Sequence, residues 1–307
     1  MKKNRIAVTL LVTPLLYLPA SGTGAQDFVA GEPLGRVNEA GERMAMSANV
    51  KVFGSFHFTE SCTFDADRNL IISMNAGERT EGYKADGYAS LINPDGSVHT
   101  SKWIGATRDG LDLVNPIGSA LRNGVLYTVD SGFLRSFDLE TGTPIASIEV
   151  PGSGFLNGIA VGEDGTAYIS NTRPREMVYK VTPEGEVSVF AEGKPLTSPN
   201  GVAMDNDGNV VVVNMGSRDV LTFSPEGEIL RTEQAAESGS DGVVVLPDDT
   251  KYVSSVRYGS VSKLVEGEET EVIATGIPSA ASMCYDSIQH QLVIPMNPNN
   301  ALAFIKL

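Results

Sequence analysis

Short apolar runs alternate with polar Gly, Asp and Pro turns along most of this chain, and from residue 49 onward strands dominate the reading, with no long helix. Residues 201–232 show the plan most plainly. A strand at 201–205 leads into the turn Asn206-Asp207-Gly208 and a second strand at 209–214. A third strand at 219–224 leads into Pro225-Glu226-Gly227 and a fourth at 228–232. The preceding stretch copies this arrangement, with Glu163-Asp164-Gly165 and Pro183-Glu184-Gly185 as its turns. These are turn sequences for a physical reason: Gly reaches positive φ without steric cost, and Pro presets φ near −65°.

The unit recurs about every 40 residues. FTESCTFDADRNLIISM from Phe58, NPIGSALRNGVLYTV from Asn115 and FLNGIAVGEDGTAYIS from Phe155 are followed by SPNGVAMDNDGNVVVV from Ser198. GSDGVVVLPDDTKYVS from Gly239 and SAASMCYDSIQHQLVIP from Ser279 complete the series. Four antiparallel strands at this period are the signature of a propeller blade, so the expected fold is all-β, a six-bladed β-propeller. The last unit holds only three strands, at 283–285, 291–295 and 301–307. Residues 49–55 (NVKVFGS) supply the missing fourth and close the ring. A β-sandwich would not explain the regular period. The propeller is expected over residues 46–307, after a leader at 26–45 that has no clear period and reads as draped over the domain or partly disordered.

Aligning the units places Glu60, Ile117, Asn157, Asn200 and Asp241 at one register, the residue leading into the first strand. The sixth unit offers only small residues there, between Ser279 and Ser282. The first strand of a propeller blade lines the central channel, so these side chains should ring one mouth. Two carboxylates and two amide carbonyls form a hard-oxygen set, suited to calcium and less so to magnesium. No His or Cys accompanies them, which disfavours zinc and copper. Without a cation, two carboxylates facing each other in a shielded channel would repel, and one would hold a proton. The alternative is that Asn157-Gly158, Asn200-Gly201 and Asp241-Gly242 are merely loop residues chosen for backbone conformation. Glu60, no turn former, argues against that.

The remaining composition bounds the setting. Lys2, Lys3 and Arg5 precede an apolar run from Ile6 to Leu18 and small residues through Ala25, the order of a bacterial secretory signal peptide over residues 1–25. The run is too short for a spanning helix, so the expectation is cleavage before Gln26 and a periplasmic or secreted protein. Residues 1–25 carry three basic and no acidic side chains, so cleavage would take the formal charge from −15 to −18. That balance argues against nucleic acid or an anionic membrane as partner. Two cysteines, Cys62 and Cys284, are too few for a disulfide-built scaffold or a thiolate cluster. They fall in the first and last units, which a closed ring would make neighbours, but buried free thiols are the expectation, because pairing demands Cα atoms within about 7 Å. His57, His99 and His290 make no metal-ligand spacing, and no Gly-x-Ser-x-Gly elbow appears. Gly152-Ser153-Gly154 precedes a strand rather than a helix and is no phosphate cradle. A single tryptophan, Trp103, gives poor support for a carbohydrate-stacking platform.

Glu60 opening the first blade, Asn157-Gly, Ser-Pro-Asn200-Gly-Val-Ala and Ser-Asp241-Gly together resemble the SMP-30/gluconolactonase/LRE-like proteins over about residues 50–307. The resemblance implies a six-bladed propeller with one divalent cation, mostly calcium, at the channel mouth, and lactonase activity on a small lactone or sugar-acid-like substrate. It matches Glu60, Asn200 and Asp241 to metal ligands, Asn157 to an asparagine that holds metal or substrate, and Asp241 also to the catalytic aspartate that handles the proton. The chain departs from the family at Glu60-Ser61-Cys62-Thr63, where Glu-Gly-Pro and an aromatic are usual. It departs again at Lys251-Tyr252-Val253, where a tryptophan is common. No single counterpart of the family's sugar-acid-gripping arginine emerges from Arg108, Arg122 and Arg135. A non-catalytic secreted propeller, binding a small ligand or a protein partner at the mouth, is the alternative, helped by Ile117 in the polar register. The residues leave the oligomeric state open.

Overall fold

Val210–Asn214 is a strand with every residue buried, as expected of an apolar run covered on both faces. Pro144–Glu149, by contrast, is largely exposed. This gradient from covered to open strands is the logic of the whole molecule. In the computed structural model, which describes residues 35–54, 56–78, 84–106 and 112–307, six four-stranded antiparallel sheets form a six-bladed β-propeller. The signal segment 1–25, residues 26–34 of the leader, Ser55 and Arg108 lie outside the described residues.

From the channel outward, blade 1 comprises Thr59–Asp65, Leu70–Asn75, Tyr88–Ile92 and Val98–Gly105. Blade 2 comprises Pro116–Arg122, Val125–Asp130, Phe133–Asp138 and Pro144–Glu149. Blade 3 runs through Leu156–Val161, Ala167–Asn171, Met177–Val181 and Val187–Glu192. Blade 4 runs through Pro199–Met204, Val210–Asn214, Asp219–Phe223 and Ile229–Gln234. Blade 5 holds Ser240–Val245, Lys251–Ser255, Val261–Leu264 and Glu271–Ala274. Blade 6 holds Cys284–Asp286, Gln291–Met296 and Ala301–Lys306, and its outer strand is Val50–Gly54 from the N-terminal side, as the sequence predicts. That strand runs antiparallel to the last, with Ala301 opposite Gly54 and Ile305 opposite Val50, and Phe53 meets Phe304 edge-on at 5.2 Å.

The hydrophobic core lies between blades rather than inside any one of them. Val129, Leu134, Ile159 and Met177 fill the seam of blades 2 and 3. Tyr168, Val178, Val212 and Leu221 fill that of blades 3 and 4. Val211, Val220, Val253 and Leu264 do the same for blades 4 and 5. A blade alone would expose both apolar faces, so the ring must form as a whole. Polar staples reinforce the seams: Lys251, buried on the second strand of blade 5, places its Nζ 3.0 Å from Oε2 of Glu233 on the outer strand of blade 4.

One expectation is corrected here. Cys62 and Cys284 are not free thiols but a disulfide between the inner strands of blades 1 and 6, with Cα atoms 5.4 Å apart. Ring closure creates that proximity, and nothing local in the sequence reports it. Within the leader, Gly35–Val37 pairs with Arg43–Ala45 as a small hairpin. It is bonded to blade 5 through Arg36 Nε to Arg257 O at 3.0 Å, and through Glu39 N to Glu237 Oε1 at 3.1 Å.

Candidate metal and substrate site

The inner strands all begin at one end of the channel, and there the strand ladder breaks. In blade 3 the pairing to the second strand skips from Leu156 to Ile159, in blade 4 from Pro199 to Val202, and in blade 5 from Ser240 to Val243. Blade 2 skips from Pro116 to Ser119, and blade 1 from Thr59 to Ser61. Such bulges re-aim side chains, and the residues left out of the ladder are Glu60, Ile117, Asn157, Asn200 and Asp241, together with the glycine that follows in blades 2 to 5. The sequence reading put them just before the strand; they are its second residue.

The glycines that follow are not turn glycines. A Cβ on Gly118, Gly158 or Gly201 would lie 2.0, 2.3 or 2.4 Å from the carbonyl oxygen of Asn157, Asn200 or Asp241, in each case on the next blade. Bare backbone is needed so that adjacent inner strands can pass. The same relation from Gly242 leads to Ala281 O at 3.0 Å. This resolves the register of the sixth unit: blade 6 offers a methyl group there.

Serines satisfy the backbone that the bulges release. Gly158 N–H donates to Ser170 Oγ at 2.8 Å, and Ser170 Oγ in turn donates to Asn200 O. Gly242 N–H donates to Ser254 Oγ at 2.9 Å, and Ser254 Oγ to Ala281 O at 2.7 Å. In blade 1, Ser61 stands where blades 2 to 5 have glycine, and its hydroxyl donates to Ile117 O.

A further set of polar residues escaped the sequence reading. Asn75, Asp130, Asn171 and Asn214 end the second strands. Their side-chain oxygens accept backbone N–H groups of His57 (3.2 Å), Asn115 (2.6 Å), Gly154 (2.8 Å) and Thr197 (2.9 Å), just ahead of the inner strands. They hold the approach to Glu60, Ile117, Asn157 and Asn200. The signal was present, an Asn or Asp closing the second apolar run of blades 1 to 4, but it reads as a strand-end turn former.

At the mouth the four predicted oxygen-bearing residues are all buried. Asn200 Nδ2 donates to Asp241 Oδ2 at 3.0 Å, while Asn200 Oδ1 is buried with no hydrogen-bond partner. Asn157 donates to Thr172 Oγ1 at 3.3 Å. Burial first, and then the negative charge of Glu60, push the Asp241 carboxyl well above its ordinary value of 3.8. Glu60 Oε2 accepts from Asn297 Nδ2 at 2.7 Å, a partner that no sequence pattern singles out. An orphaned amide oxygen beside two mutually repelling carboxylates is a donor set that a hard divalent cation fits. Among the described residues no three His, Cys, Asp or Glu side chains gather into a metal-binding group, so amide oxygens have to complete any shell around Glu60 and Asp241.

The arginine candidates fall elsewhere. Arg122 ends the inner strand of blade 2 at the opposite end of the channel, where it lines a cavity of about 490 Å³ with Glu163, Asp164, Tyr168 and Asp205. Arg135 pairs with Asp130 at 2.8 Å.

Fold and mouth together define a six-bladed β-propeller with an oxygen-lined entrance. Residues 70–240 match the family described as the SMP-30/Gluconolactonase/LRE-like region. That is more than half of the chain, and the protein belongs to this family. No curated protein sequence matches it. Among solved structures, a gluconolactonase from Xanthomonas campestris superposes with a TM-score of 0.61 at 17% identity, covering 95% of this chain and 99% of that one. A virginiamycin B lyase from Staphylococcus aureus gives 0.58 at 14% identity, covering 84% and 99%. A Bacteroides thetaiotaomicron protein of unknown function gives 0.63 at 14%, covering 85% and 73%. At these identities the likeness is one of fold.

Proposed function

We propose that this protein is an exported hydrolase of a lactone or related small ester, dependent on one divalent cation, calcium by the chemistry of its donors. The observation that carries the reading is the buried, unpartnered Asn200 Oδ1 set beside the Asp241 carboxylate, which is itself close enough to Glu60 to be perturbed by its charge. Family membership supports the reaction class.

Glu60, Asn200 and Asp241 hold the ion in this reading, and Asn157 completes the set or orients the substrate. A cation bound there would polarise the ester carbonyl and stabilise the negative charge that develops on its oxygen. Asp241 Oδ2 is engaged by Asn200 Nδ2, so Oδ1 is the oxygen assigned to take the proton from the attacking water. A nearby positive charge also favours the ionised carboxylate that this role requires. Export agrees with the Cys62–Cys284 disulfide, which persists in an oxidising compartment.

The test is turnover of a panel of small lactones by chelated protein, with and without added calcium, alongside its melting temperature. Calcium should raise both the rate and the midpoint, since a ligand of the folded state stabilises it by mass action. No binding at millimolar calcium would overturn the metal reading. Binding without turnover would instead favour a non-catalytic module, the reading that Ile117 in the polar register supports.

A further inference from the structure

The register carrying Glu60, Asn157, Asn200 and Asp241 leaves blade 6 with Ala281, so its inner strand gives the mouth no polar group. Blade 6 contributes from elsewhere. Between its second strand, Gln291–Met296, and its third, Ala301–Lys306, lies a single 3-10 turn, Asn297–Asn299. Asn300 closes that turn in the left-handed region, at φ 54° and ψ 40°, which Asn tolerates better than most side chains.

Two of these residues grip the inner strand of blade 1. Asn297 Nδ2 donates to Glu60 Oε2 at 2.7 Å. Asn300 Oδ1 accepts the N–H of Phe58, also at 2.7 Å, where Phe58 itself takes φ 52°. One short segment therefore fixes both the carboxylate and the backbone leading into it, across 237 and 242 residues of sequence. A glutamate side chain has several rotatable bonds, and a charge-assisted hydrogen bond to one oxygen selects a single orientation.

We infer that Asn297 is a positioning residue for Glu60: its hydrogen bond to Oε2 holds the carboxylate in the orientation in which it would meet the cation. The inference rests on the metal reading above. Hydrogen-bond partners of ligating side chains typically contribute about 10- to 100-fold to metal affinity, so the effect should be large.

Calcium binding to chelated full-length protein, by calorimetry and by terbium luminescence, tests this on the parent, Asn297→Leu and Asn297→Gln. Leucine matches the shape and removes the donor; glutamine keeps it. The leucine variant should bind calcium about 10-fold or more weakly, glutamine should recover most of that loss, and saturating calcium should restore lactone turnover to the leucine variant. Asn297→Ser is too short to reach Glu60 and carries the same expectation should the leucine variant misfold. Parent-like affinity in the leucine or serine variant overturns the inference while leaving the metal reading intact. So does an equal loss in the glutamine variant together with a lowered midpoint of the chelated protein, the mark of a structural role. A parent that binds neither ion overturns both readings.

Discussion

Asp241 has two assignments with different requirements, and substitution separates them. Asp241→Asn keeps an oxygen of similar size but loses charge and basicity. Its calcium affinity should fall, and at saturating calcium its lactonase rate should still be about 100-fold down or more, the scale of a lost general base. Asn200→Asp removes no base, but it replaces the donor to Asp241 Oδ2 with a third carboxylate. Its midpoint should be lower than the parent's in chelator and should rise further on adding calcium, with more activity retained than in Asp241→Asn. The pH sign follows from the raised Asp241 carboxyl. A folded value above the ordinary 3.8 confers stability that is fully present below about pH 4 and is lost as pH rises through the shifted value. Thermal melts in chelator should therefore show the parent losing ground to Asp241→Asn as pH climbs toward neutrality. Gly201→Ala tests the neighbouring backbone. The new methyl would meet Asp241 O at 2.4 Å, so denaturant unfolding should show a loss of about 1–3 kcal/mol, with weaker calcium binding as the site strand shifts.

At the scale of elements, the inner strand of blades 1 to 5 does two jobs: it seals the channel and, through its bulge, turns one side chain into the mouth. The outer strand of blade 6 has a different task. Val50–Gly54 covers what would otherwise be the open edge of Ala301–Lys306, and an exposed strand edge is a liability for aggregation as well as stability. The hairpin of Gly35–Val37 and Arg43–Ala45 covers no such edge and is held largely by exposed contacts. Deleting residues 46–56 should accordingly lower the thermal midpoint far more than deleting 26–45. Equal midpoints for the two truncations would remove the closure role.

For the whole molecule, stability resides in the seams, and the seam of blades 6 and 1 is the one where the first and last repeats must meet. Phe56, Ile71, Val293 and Leu302 pack there around the Cys62–Cys284 bridge. A disulfide closing so long a loop restricts the unfolded chain strongly, with a typical contribution of about 2–4 kcal/mol. Cys62→Ser paired with Cys284→Ser should lower the unfolding free energy by that order, and reductant should lower the parent's midpoint but not the double variant's. Because Cys62 follows Glu60 on the same strand, calcium affinity should weaken along with the closure.

The number of blades, the closing strand and the four oxygen-bearing residues were legible in the sequence, because each depends on local periodicity. Alternation and turn chemistry define a strand wherever they occur, and repetition makes equivalent positions converge. What the tertiary structure decided are relations between distant segments. The Asn157-Gly158 and Asn200-Gly201 pairs resemble turns until the neighbouring blade stands against them; only then is glycine required by the carbonyl 2.3 to 2.4 Å from its missing Cβ. Whether Cys62 and Cys284 pair depends on a closure spanning 222 residues. Asn297 acquires its role from a carboxylate 237 residues away. Local pattern sets which elements form and which face each residue takes, whereas backbone contact, disulfide pairing and the partners of a buried charge exist only once the ring has closed.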